Sequence, residues 1–246
     1  MRKTLKNGLV LAMVDLPIPI LKHPKWLEVK YLPQLREMNL VKLLRQSLPE
    51  IENLTRKWKL RQIKVATHPS WTKPALIGFT RAVYYMTINS SSLAKIPCKN
   101  YPIVEIQNPK EIEDLIKGQF LYHSQRQPLY YTNDVNKSLE DFIKIIKKSL
   151  QDEKGFLLGA VVNKAAVGFL YGEFEKQEGI IDELFVEEGF RGKGVGRSLI
   201  GAAGQIFKEK GLTKVGLFVG TEIKSVGFYE KLGFEKEFVN WIKKLS

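Results

Sequence analysis

One cysteine, three histidines and the want of any long apolar run set the first bounds on this 246-residue chain. A lone Cys98 cannot close an internal disulfide, and a bilayer-spanning helix would need roughly 18 or more apolar residues in succession. His23, His68 and His123 are too scattered to form a metal cluster, so no metal is expected. Acidic residues are also scarce, 26 against 39 lysines and arginines, for a net charge of +13. That scarcity is confined to one half. Residues 101–246 carry 21 residues of each sign, which leaves 18 basic and 5 acidic residues for positions 1–100. The imbalance suggests attraction to an acidic macromolecule such as nucleic acid, or else a solvated lysine-rich surface. No helix-turn-helix, zinc or RNA-recognition signature accompanies it.

The start, Met1-Arg2-Lys3 followed by the apolar stretch Gly8 to Ile20, imitates a secretion signal. Asp15, Pro17 and Pro19 interrupt it and no A-x-A site follows, so it reads as a strand and a cytoplasmic enzyme is expected, with no membrane partner. Small polar residues and proline at Asn89-Ser90-Ser91-Ser92 and Pro97-Cys98-Lys99-Asn100 sustain neither helix nor strand period. They predict a split near residue 95, into domains 1–95 and 96–246.

The densest glycine cluster is Arg191-Gly192-Lys193-Gly194-Val195-Gly196. Without Cβ atoms, successive N–H groups can converge on a bulky anion. Ile180 to Val186 before it reads as a buried strand, and Leu199, Ile200, Ala203, Ile206 and Phe207 after it keep helical spacing. The loop therefore opens a helix, where unpaired N–H groups and the helix dipole favour phosphate. A Walker A loop does not fit, since Gly189 and Gly194 are followed by Val195 and Gly196 rather than Lys and Ser or Thr. The dinucleotide fingerprint does not fit either, because Arg197 stands at its third glycine.

What remains, Arg-x-x-Gly-x-Gly at Arg191, Gly194 and Gly196, resembles the pyrophosphate loop of the GNAT family of N-acetyltransferases. A second string, Phe228-Tyr229-Glu230-Lys231-Leu232-Gly233-Phe234, resembles the second signature of that family, one helix and one strand further on. The resemblance covers about residues 101–246. It implies an α/β fold, a mixed and mostly antiparallel sheet with flanking helices and a splayed parallel strand pair, preceded here by a smaller α/β domain. The sequence itself places a strand at 102–106, helices near 112–121 and 139–150, and a hairpin of 155–162 and 165–174 turning at Asn163-Lys164.

The resemblance implies acetyl-coenzyme A as co-substrate, held by Arg191, Gly192, Lys193, Gly194, Val195, Gly196, Arg197, Ser198 and Phe228, and by backbone groups of Leu184, Phe185 and Val186. It also implies that Tyr229 protonates the departing sulfur. Glu183 shares a face with Ile181 and Phe185 by alternation and is the candidate base, with Glu173 and Glu175 as alternatives and Asp182 as structural. Glu222 replaces the family's usual Asn and Ser225 a common Ala. Tyr122, His123, Tyr130, Tyr131 and Trp241 are candidates to shape the site of an amine acceptor whose class the sequence leaves open. A homodimer, a non-catalytic acyl-coenzyme A sensor and an adaptor for nucleic acid or an acidic partner stay open as well.

The basic half carries a faint echo of the loop. Trp26 to Asn39 aligns without gaps on Ile181 to Gly194, setting Glu28 on Glu183, Arg36 on Arg191, Asn39 on Gly194 and, beyond it, Val41 on Gly196. Ile77-Gly78-Phe79-Thr80 matches Val226-Gly227-Phe228-Tyr229. The expectation is a degenerate GNAT-like module that has lost its glycines, or an unrelated α/β domain.

Overall fold

The computed structural model describes residues 2–4, 10–15, 25–30, 37–57, 62–70, 72, 74–75, 78–98, 101–126, 134–221 and 224–244. The chain forms two compact units: Met1–Tyr85 with Val219–Ile223 and Lys236–Ser246, and Met86–Phe218 with Lys224–Glu235. The division thus falls inside a strand after Tyr85, where the sequence suggested residue 95.

In chain order the first elements are β1 (Arg2–Thr4), β2 (Val10–Asp15), β3 (Lys25–Lys30), α1 (Glu37–Lys57), β4 (Gln62–Thr67), β5 (Thr80–Asn89) and α2 (Ser90–Leu93). There follow β6 (Ile103–Glu105), α3 (Glu113–Arg126), α4 (Val135–Gln151), β7 (Gly155–Val162), β8 (Ala165–Phe174) and β9 (Glu178–Val186). The last are α5 (Val195–Glu209), β10 (Lys214–Gly220), α6 (Ser225–Lys231) and β11 (Glu235–Lys244). Of the apolar stretch 8–20, read as one strand, the described part is β2; Gly8, Leu9 and Leu16 to Ile20 lie outside the described residues. Among the described residues no helix is long and apolar enough to cross a membrane.

In the first unit β1, β2 and β3 pair antiparallel, and α1 then carries the chain to β4, parallel to β3. Leu40, Val41, Leu44 and Ile51 form the buried stripe of α1, and its Pro49 sits on the exposed side. The next strand in this sheet comes from far along the chain. β11 pairs antiparallel with β4, from Val239 opposite Thr67 to Lys244 opposite Gln62. Trp241 of β11 is buried and donates its indole N–H to Thr67 Oγ1 at 2.9 Å, with the Arg81 guanidinium 5.1 Å over its ring. Trp241 therefore serves the core of the first unit, not an acceptor site.

The second unit repeats the same order of connections. β6, β7, β8 and β9 pair antiparallel, and α5 leads from β9 to β10, which lies parallel to it. This is the mixed, mostly antiparallel sheet with a parallel pair that the sequence predicted. The hairpin turns where expected, with Asn163 and Lys164 both left-handed at φ 50 and 67°, the backbone of a tight primed turn. Phe156 packs edge-on against Phe207 of α5, whereas Tyr171, across from neighbouring Leu157, packs on Phe142 of α4. Adjacent strand positions face opposite ways, so α5 and α4 cover opposite faces of this sheet.

Candidate functional site

β9 and β10 pair only from Lys214 opposite Glu178 to Leu217 opposite Ile181. At that point β9 carries an irregularity: Ile181 faces Gly172 and Glu183 faces Tyr171, which leaves Asp182 as an extra residue. A bulge of this kind bends its strand and re-aims the residues beyond it. Past it, Leu184, Phe185 and Val186 keep their partners on β8, while their other edge has no strand partner among the described residues. Apart from the Val186 carbonyl, which accepts from Arg191 Nε, the backbone groups on that edge are left for an extended ligand to pair with. The bulge also corrects the sequence reading, because alternation breaks between Ile181 and Glu183. Asp182, expected to be structural, is exposed.

The glycine loop joins this gap to α5. Gly192 and Gly194 take φ of 74 and 94°, and Gly194 caps α5 without any side-chain hydrogen bond. The first N–H groups of a helix have no partner within it, so those at the start of α5 face the loop together with the positive end of the dipole. Gly196 keeps the cradle shallow; a Cβ there would sit 3.4 Å from Phe228 Cζ and 3.7 Å from Val186 Cγ2. The loop glycines and the uncapped helix end therefore suit a pyrophosphate.

Glu183 is only partly exposed, and lost hydration pushes its carboxyl well above the ordinary carboxylate range. The neighbouring Asp182 charge adds to the rise, and the Gln119 amide of α3 opposes it. Tyr229 of α6 is buried, between Phe228 and Phe234 at centroid distances of 5.1 and 5.5 Å. Burial raises its phenol above the usual tyrosine range, and the charge of Glu183 raises it further. The two sequence candidates for base and acid therefore stand within electrostatic reach of each other. Glu173, an alternative base, instead accepts a short hydrogen bond from the Tyr171 phenol, and Glu175 is exposed in the turn before β9.

The other candidates separate into those that meet at the loop and those that do not. Arg191 donates from Nε to the Val186 carbonyl at 2.8 Å and lies 4.4 Å over the Tyr122 ring and 5.4 Å over Phe185. It ties the loop to β9 and α3. Lys193 is exposed with Nζ 5.7 Å over the Phe190 ring, and Arg197 is exposed one turn into α5. Val195 and Ser198 are buried, and Ser198 gives its N–H to Gly194 O. Their side chains pack within the buried side of α5, while the Val195 N–H belongs to the first turn of the helix. Tyr130, Tyr131, Glu222 and His23 lie outside the described residues.

One residue escaped the sequence reading. Gln119 is fully buried on α3, yet neither of its amide atoms finds a hydrogen-bond partner among the described residues. It lies near enough to Glu183 to lower the carboxyl's pKa, but not in the geometry of a closed hydrogen bond. An unmade hydrogen bond at a buried polar group costs about 1–3 kcal/mol. The signal was present in sequence, as one glutamine inside the run Ile112, Leu115, Ile116, Phe120.

The echo in the first unit divides into a part that folds alike and a part that does not. β3 and α1 stand where the alignment sets β9 and α5, and both strand pairs are parallel. Glu37 and Asn39, aligned with Gly192 and Gly194, already belong to α1, so the helix begins where the second unit keeps its loop. The match of 77–80 to 226–229 fails. Gly78 is a left-handed turn at φ 80° and Thr80 opens β5, whereas Gly227 to Tyr229 lie within α6; Ile77 is outside the described residues.

A model of the acetyltransferase (GNAT) family matches residues 111–234. An uncharacterized N-acetyltransferase of Methanocaldococcus jannaschii is 32% identical over 155 residues, 59% of this chain and 66% of that protein, a little under two thirds of its length. A conserved protein of unknown function from Staphylococcus epidermidis aligns over 100% of this chain and 94% of its own, with a TM-score of 0.65 and 15% identity. A GCN5-related N-acetyltransferase from Sphaerobacter thermophilus aligns over 98% and 79%, with a TM-score of 0.61 and 17% identity. A tandem GNAT protein from the clavulanic acid biosynthesis pathway aligns over 96% and 78%, with a TM-score of 0.57 and 17% identity. At such identities the structural matches speak for the fold alone. With the family model covering half of its length, this chain belongs to the acetyltransferase (GNAT) family, whose members draw their acetyl group from acetyl-coenzyme A.

Proposed function

We propose that the second unit transfers the acetyl group of acetyl-coenzyme A to a primary amine by direct attack in a ternary complex. The observation that carries this reading is the parting of β9 from β10 beside the glycine loop, with Glu183 and Tyr229 coupled by charge. The N–H groups of the loop and of the start of α5 bind the pyrophosphate, and backbone groups of Leu184 to Val186 bind the extended arm. One of those amides polarises the acetyl carbonyl. Glu183 takes a proton from the acceptor ammonium, and its raised pKa suits it to that transfer. The neutral nitrogen then attacks the carbonyl carbon; the C–N bond forms and the C–S bond breaks. Tyr229 donates its proton to the departing sulfur and regains one from the acylated nitrogen, while Glu183 releases its proton to water. One proton is set free per turnover. Charge links the two steps, because protonating Glu183 removes the charge that holds the phenol back from giving up its proton.

The full chain, mixed with acetyl-coenzyme A and a broad panel of primary amines, should release free thiol. Failure to bind acetyl-coenzyme A would end this reading; binding with no turnover across the panel would favour an acyl-coenzyme A sensor. Gly194→Val should abolish binding, because a β-branched residue at φ 94° is strained and crowds the cradle.

We further propose that the first unit is a degenerate copy of the second. Its matching strand, helix, parallel strand order supports this, and the early start of α1 removes any cradle. The 18 basic and 5 acidic residues of positions 1–100 favour a docking role toward an acidic macromolecule. Such docking would weaken steeply with salt, and no gel shift with RNA or DNA at low salt would remove it.

A further inference from the structure

The buried stripe of α3 runs through Leu115, Ile116, Gln119 and Phe120. Apolar neighbours on both sides would be served as well by a leucine, which carries no amide to leave unpaired. α3 packs on β8 and β9, and Gly118 brings the helix close enough that a Cβ there would lie 3.5 Å from Phe185 Cζ. The Gln119 amide is thereby held beside Glu183, with both its donor and its acceptor unspent among the described residues. Buried amides in folded proteins are satisfied by protein, water or ligand. This one sits next to the group that meets the acceptor ammonium.

We propose that Gln119 is an acceptor-binding residue whose Oε1 takes a hydrogen bond from the amine nitrogen while its Nε2 turns to the Glu183 carboxylate. The inference rests on the acetyl-transfer reading and deepens it. A primary amine that has given one proton to Glu183 keeps two N–H groups and a lone pair. Holding one N–H at Gln119 aims the lone pair, and a neutral amide does so without competing for the proton. No bond to Gln119 forms or breaks. The groups bearing on the titration of Glu183 are Asp182 on its own strand and Gln119 on α3; Tyr171 stands opposite it on β8, and Tyr229 on α6 feels its charge.

Gln119→Met keeps the length of the side chain, and Gln119→Leu serves as a second apolar replacement should the first fold poorly. Infrared difference titration of the full chain, with Glu183→Gln to identify the carboxyl band, follows Glu183 with no acceptor present. n-Butylammonium serves as the probe cation. We expect both variants to raise the Glu183 titration midpoint and to weaken the probe about tenfold or more, with acetyl-coenzyme A affinity unchanged. An unmoved midpoint and unchanged probe binding would overturn the proposal and leave Gln119 a packing residue. If the wild-type chain binds no acetyl-coenzyme A, the acetyl-transfer reading fails separately, and the role of Gln119 falls with it.

Discussion

The charge of Glu183 helps to keep the Tyr229 phenol protonated, the state that the proposed acid requires. Replacing Glu183 with Gln removes the proposed base and should lower kcat by about 10²- to 10⁴-fold, as steady-state kinetics would measure. The same change has a predictable effect on stability. The carboxyl titrates higher in the fold than in the unfolded chain, so the native state holds an extra proton between the two values. Stability therefore falls as pH climbs through the folded value, and Glu183→Gln should lose that dependence. Melting curves taken across pH should find the variant gaining on the wild type as pH rises. Tyr229→Phe keeps the ring between Phe228 and Phe234, so kcat should drop about 10²-fold while acetyl-coenzyme A affinity holds. Unchanged turnover would make Tyr229 a packing residue. Tyr229 could be singled out in the sequence by its string, and Glu183 by an alternation along β9 that the bulge interrupts. Gln119 shows in the sequence only as a polar residue in an apolar stripe, because its meaning depends on Glu183, 64 positions away, and on the lack of another partner among the described residues.

At the scale of elements, Arg191 acts as a tie between the glycine loop, β9 and the aromatic side of α3. Arg191→Ala should raise the dissociation constant for acetyl-coenzyme A about tenfold, in line with losing one charge-assisted hydrogen bond. Arg191→Lys should restore little of it, since an ammonium lacks the planar fork that bonds and stacks at once. Calorimetry on the three proteins decides the matter; full rescue by lysine would point to direct attraction to phosphate instead. The helices and strands of 101–246 were legible because period, glycine and turn signals agree locally, down to the Asn163-Lys164 turn. The bulge at Asp182 was not, since an extra residue shows only when two strands are set side by side. The structure also marks the limit of short alignments. Trp26 to Asn39 found a matching strand and helix, while 77–80 found a turn.

For the whole molecule the telling element is β11, whose place in a sheet no local sequence pattern assigns. It completes the first unit through six register pairs with β4 and the Trp241–Thr67 hydrogen bond. Neither half of a chain cut near residue 95 would therefore contain a whole first unit. Ending the chain after Phe234 should expose the edge of β4, speed hydrogen exchange at Ile63 to Thr67 and promote aggregation. Exchange mass spectrometry would register the change; protection equal to the full chain's would contradict it. The same strand also sets a clock on biosynthesis. Val239 is made roughly 170 residues after the Thr67 it must meet, a wait of roughly 10–35 s at common elongation rates. Through that interval the first unit stays unfinished, its β4 edge within reach of a chaperone.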